Sequence, residues 1–179
     1  MKIPEITRRE EVYNNNWRKI IVKTLKTKTG ILQAYPINSH CGPEQATMVF
    51  PISKDNKVIY CKEWRPGIED FVHCFPVGMQ EADLDFRENA IKELKEEVGC
   101  TSDEVYSLGE SIISNFDTTI AKYFVALNCE VGENNLEDGE NIEVLSCSLD
   151  EFEEKINSGE INCPLTISCY TKAKIQNKI

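Results

Sequence analysis

Histidine is scarce in this chain: His40 and His73 are the only two, and they stand far apart. None of the eight cysteines falls in a C-x-x-C pair, so neither a zinc knuckle nor a dithiol redox motif is written here. Several cysteines sit inside apolar runs such as VIYCKEW and VLSCSL, which reads them as buried, reduced thiols. Long apolar runs are missing too. No stretch approaches the roughly 20 apolar residues that span a bilayer, and MKIPEITRREEVYNNNW has no apolar segment of a secretory leader. These absences lead us to expect a cytoplasmic protein with no membrane partner. Positive charge is also short: 20 Lys and Arg against 30 Asp and Glu give a formal net charge of −10. A nucleic-acid backbone requires clustered cations, so nucleic acid is excluded as a partner. A small anion remains admissible if a divalent metal screens it.

With 179 residues the chain suits one domain with a sizeable core. We divide it into N-terminal strands over 1–40 and a main domain over 41–179. Residues 17–25 and 31–37 read as an antiparallel strand pair joined by TKTG, and ATMVFPI with VIYCKEW reads as a second hairpin. FVHCFPV reads as a short strand stopping at Gly78. Later strands are expected at VYSLGESII, TIAKYFVALNCEV and IEVLSCSL. Three helices are expected. The first has Asp85 as N-cap with Glu88 three residues on, an apolar stripe of Ala90, Ile91, Leu94 and Val98, and a stop at Gly99. A second begins at Ser148 with Glu151 as capping partner, and a third begins at Pro164. Strands, helix, strands and helices in that order give an α+β fold or an α/β/α sandwich.

The first helix also carries the chemistry. Glu93 and Glu97 lie one turn apart with Glu96 beside them, near the helix C-terminus where the macrodipole disfavours anions. Such a cluster is either a site for a hard divalent cation or a solvated acidic face with Lys92 and Lys95 as partners. Both readings stand on the carboxylates alone.

Residues 78–100 resemble the Nudix box, G-x(5)-E-x(7)-R-E-U-x-E-E-x-G-U with U aliphatic. The chain matches at Gly78, Glu93, Leu94, Glu96, Glu97 and Gly99, and departs at Leu84, where Glu is expected, and Lys92, where Arg is expected. KEWRPGIEDFVHCFPVGM resembles the segment before the box in ADP-ribose and nucleoside-diphosphate-sugar pyrophosphatases, and EDGENIEV is similar to a later stretch of that branch. The resemblance implies a Nudix α/β/α sandwich with a mixed sheet, often a homodimer through its N-terminal strands. It also implies Mg²⁺-dependent hydrolysis of ADP-ribose or a related nucleotide sugar to two phosphomonoesters, with Mn²⁺ as an alternative metal. Carried over by position, Glu93, Glu97, Glu96 and the Val77 carbonyl would bind metal. Glu96 and Glu140 would do the catalytic work, Glu140 as last ligand or general base. Arg65, Trp17, Trp64 and Gly78 would contact substrate. For the lost carboxylate at Leu84, Glu81 or Asp83 is the candidate replacement, and Asp117 in SNFDTTIAKY is an acidic remnant of a loop that is glycine-rich in that branch. The departures keep open a nucleotide-binding module of this fold that turns over weakly or not at all, while a nucleoside-triphosphate hydrolase shares the chemistry but fits the segment before the box less well.

Overall fold

The computed structural model describes residues 3–15, 18–39, 45–136 and 141–179. Trp17, His40, Cys41 and Glu140 therefore lie outside the described residues.

Period-two patterning builds the centre of the molecule. In β5 (Gln45–Ser53) Met48, Phe50 and Ile52 face one way while Val49 faces the other. In β6 (Lys57–Arg65) Val58 and Tyr60 oppose Ile59 and Cys61. Both faces are buried, which is why these strands read as nearly unbroken apolar runs. The main sheet runs β10 (Glu104–Ile112), β11 (Ile120–Val131), β5, β6, β12 (Ile142–Ser148), in which β11 and β5 are parallel and the other pairs antiparallel.

Helix α1 (Phe86–Val98) covers one face, burying Ala90, Leu94 and Val98 against Val49, Ile59, Phe124 and Cys129. Helices α2 (Leu149–Ser158) and α3 (Pro164–Ile175) cover the other, where Phe50, Phe75 and Phe152 stack at centroid separations of 4.5–6.3 Å. The caps fall where the sequence puts them: Asp85 with Glu88 and Ser148 with Glu151 form reciprocal capping boxes, and Pro164 opens α3.

Two expectations change. FVHCFPV is not one strand: β7 (Asp70–Cys74) pairs with β6, the chain turns at Phe75 and Pro76, and β8 (Val77–Met79) pairs with β5. Proline lacks the N–H that a continuous ladder needs. The N-terminal pair is also larger than expected. β1 (Glu5–Asn14) joins β2 (Arg18–Lys26), whose other side takes β3 (Ile31–Ala34) and β4 (Ile37–Ser39). β1 is exposed along its whole length and highly charged, so no buried alternation announces it. A two-residue strand, β9 (Cys100–Thr101), pairs with the end of β11.

Seven cysteines are described, all as free thiols, and six are buried. Burial pushes Cys100 up to about 11, and Cys74 and Cys129 up to about 12. These acids hold their protons more tightly folded than unfolded, so their contribution is complete below about pH 9 and is lost as pH rises through 11–12. Two results are expected: a thermal midpoint that falls between pH 9 and pH 11, and slow modification of most thiols by an aromatic disulfide at pH 8 that becomes complete in denaturant. Rapid native-state modification of all eight thiols would contradict the packing.

Candidate active site

Strand β8 and helix α1 build the site between them. Pro76 turns the chain so that Val77 and Gly78 run alongside α1, and the Val77 N–H donates to Glu97 Oε2 at 3.1 Å. Gly78 has no side chain for a reason that is local: a Cβ there would lie 2.1 Å from Glu93 Oε1 and 2.5 Å from Oε2. The Glu93 carboxylate is therefore pressed onto the strand backbone. Glu93 and Glu97 are only 9% and 5% exposed. A cleft of about 330 Å³ opens beside them, lined by Val77 to Glu81, Lys92, Glu93, Glu96 and Glu97. Four glutamates and a single lysine make that lining strongly negative.

Lys92 bridges the two lips of the cleft, reaching Glu96 Oε2 at 2.5 Å and Glu81 Oε1 at 2.9 Å. Its hydrogen bond to Glu96 first, and that to Glu81 after it, hold its ammonium above the usual lysine range. Asp83 is not part of this lining, so between the two candidate replacements for Leu84 it is Glu81 that meets the lysine.

The loop between β8 and α1 is held by buried amides that the sequence reading passed over. Gln80 Nε2 donates to the Glu81 and Leu84 carbonyls, and Thr47 Oγ1 of β5 donates to Gln80 Oε1. Asn89 Oδ1 accepts the Glu81 N–H, while its Nδ2 is buried with no partner among the described residues. The spacing 89, 93, 97 along one helix face was the available signal.

The far end of α1 is tied down by another loop. Gly99 stands at φ +65°, and the backbone of residues 132–134 crosses directly over it, so a Cβ would lie 2.6–2.7 Å from Glu133 C, Asn134 N and Gly132 O. Gly132 N–H donates to Gly99 O, Asn135 N–H to Glu96 O and Asn134 Nδ2 to Glu97 O. The loop that caps these helix carbonyls is the one that continues toward position 140.

The other candidates lie elsewhere. Adjacent residues of a strand face opposite ways. Arg65 shares the α1 face with Cys61 and Glu63, whereas Trp64, 42% exposed, shares the opposite face with Tyr60. Neither lines the cleft. Arg65 Nη2 pairs with Glu63 Oε2 at 2.7 Å. Burial, followed by the Glu97 carboxylate, raises the Cys61 thiol well above its usual range. Asp117 accepts the Thr119 N–H in a turn between β10 and β11.

The donor set suits a hard divalent cation: carboxylate oxygens, two of them buried and one cradled against a glycine backbone. Among the described residues no three His, Cys, Asp or Glu side chains converge on one point as placed. Glu96 is paired with Lys92, which also reaches Glu81. Two glycine substitutions separate shape from strain. Gly78→Ala must displace the Glu93 carboxylate, so a divalent cation held by that carboxylate is expected to bind at least tenfold more weakly while the thermal midpoint changes little. Gly99→Ala meets backbone on three sides in a left-handed conformation; it is expected to cost about 2 kcal/mol or more and to lower the midpoint by roughly 4–8 °C. Calorimetry on both variants checks the contrast.

A family model described as the NUDIX domain matches residues 42–163. The chain is 23% identical over 173 residues to a methanol dehydrogenase activator of Bacillus methanolicus, covering 95% of this chain and 92% of that protein. It is 24% identical over 156 residues to an ADP-ribose pyrophosphatase of Bacillus subtilis strain 168, covering 86% and 83%. Among solved structures, the crystal structure of an ADP compounds hydrolase superimposes with a TM-score of 0.83 at 20% identity, covering 99% of this chain and 96% of that one. A family match spanning well over half of the chain, on a fold where Glu93 cradled by Gly78 and buried Glu97 occupy box positions, shows that this protein belongs to the Nudix family.

Proposed function

We propose that this protein hydrolyses the pyrophosphate linkage of ADP-ribose or a related nucleotide sugar with Mg²⁺ as its metal, releasing two phosphomonoesters. The observation that carries the reading is the Gly78–Glu93 contact: a buried carboxylate set against the backbone at the mouth of an acidic cleft, with buried Glu97 one turn on. A relative named for ADP-ribose pyrophosphatase activity supports the substrate class.

Glu93 and Glu97 would hold the metal, with Glu96 and the Val77 carbonyl as further oxygen donors; Mn²⁺ would suit the same donors. When bound, a divalent cation neutralises phosphate oxygens and makes water a better nucleophile. The protein's own part is positional. Val77 N–H fixes the Glu97 carboxylate, and Gly78 leaves its backbone accessible beside Glu93. Glu140, further along the chain from the 132–135 loop, we assign as general base or last ligand. Arg65 has a planar fork suited to a diphosphate and would exchange Glu63 for substrate. Trp17 and Trp64 are the candidate stacking surfaces for the base.

One observation favours the second reading, a nucleotide-binding module of low turnover: Glu96 is held by Lys92 instead of joining Glu93 and Glu97. We further propose a homodimer built through residues 1–40, because Ile6, Val12, Tyr13, Ile31, Leu32 and Tyr35 all leave apolar surface exposed there.

The deciding experiment is phosphomonoester release from ADP-ribose, a nucleotide sugar, a dinucleotide and a nucleoside triphosphate, with and without Mg²⁺. ADP-ribose or a nucleotide sugar is expected to be the best substrate, and Glu97→Gln is expected to lower turnover at least a hundredfold. Binding without turnover across the set would instead establish the module. Light scattering on the intact chain and on one lacking residues 1–40 is expected to give a dimer and a monomer.

A further inference from the structure

The acidic cleft carries its own cation, and that cation has two places to sit. Lys92 Nζ touches Glu96 on α1 and Glu81 on the opposite lip. Glu81 has a half-exposed side chain, yet its backbone is fixed from within: its N–H is held by buried Asn89 and its carbonyl by buried Gln80, which is itself anchored to Thr47 of β5. The carboxylate of Glu81 is thus presented to Lys92 by a rigid support.

A lysine is a compact point charge with three donors on a flexible stem, so it can leave one carboxylate while keeping another. A divalent cation that enters beside Glu93 and Glu97 competes with the ammonium for Glu96. If Lys92 had Glu96 alone, that competition would strand the ammonium in the cleft without its pair. With Glu81 in place, the ammonium trades two carboxylates for one and remains paired.

We propose that Glu81 is a positioning residue that receives Lys92 and thereby frees Glu96 for the metal, so that the Glu81–Lys92 pair sets the affinity of the site. This inference rests on the metal-site reading above. It assigns Glu81 a role through Lys92 and not through direct contact with substrate.

Mg²⁺ titration by calorimetry, without nucleotide, tests it on the intact chain and on Glu81→Gln, Lys92→Gln, the double variant and Glu97→Gln. Glu81→Gln is expected to weaken Mg²⁺ binding by about threefold to fivefold, the range of a partly exposed ion pair. Lys92→Gln is expected to tighten it, and in that background Glu81→Gln is expected to have little further effect. Equal weakening in both backgrounds would mean only that a negative charge had been lost from the field, and would overturn the proposal. So would a Glu81→Gln variant that binds as the intact chain does. Mg²⁺ binding that is unaffected by Glu97→Gln, or no binding by the intact chain, would instead remove the metal-site reading and this inference with it.

Discussion

The Glu93 carboxylate lies against the backbone of Gly78, and most of the site follows from that contact. It requires a glycine in β8, a buried face on α1 and a chain that turns at Pro76 to bring the two together. Burying two carboxylates on one helix is expensive unless something offsets their charge. The offsets include the Val77 N–H on Glu97 and the Lys92 ammonium near Glu93. The helix also runs its acidic end into its own unfavourable dipole. Residues 132–135 cover that end, so the carbonyls are satisfied by backbone and amide donors.

The two departures from the box belong together. Leu84 supplies no carboxylate, and the loop that carries it is held by Gln80 and Asn89, which are amides and bring no charge. Lys92 supplies a charge but not a fork, and it divides that charge between two glutamates. The result is a cleft in which one ammonium pairs with a glutamate on each lip. An arginine at this position would hold its partner in a more rigid, two-pronged geometry.

Much of the fold was legible. Capping boxes are local, so Asp85 with Glu88 and Ser148 with Glu151 announce helix starts without tertiary information. Gly99 and Pro164 mark ends and beginnings for the same reason. β1 was not legible, because an exposed strand needs no apolar alternation and its pairing with β2 is a backbone matter. The division of 70–79 into β7 and β8 depends on which neighbour each half pairs with, β6 or β5. Trp64 and Arg65 were grouped as neighbours in sequence, whereas the pleat sends them to opposite faces.

By itself the sequence determined the helix that carries the glutamates, their spacing along it, its Asp85 cap and the glycine at its C-terminal end. These depend on local propensity, on 3.6-residue periodicity and on residues with special backbone freedom. Only the tertiary structure decided which groups those glutamates face. The meeting of Glu81 with Lys92, the burial of Asn89 beneath the loop and the crossing of residues 132–134 over Gly99 each join segments that no short-range rule connects. Their geometry is set by how the sheet packs against the helix.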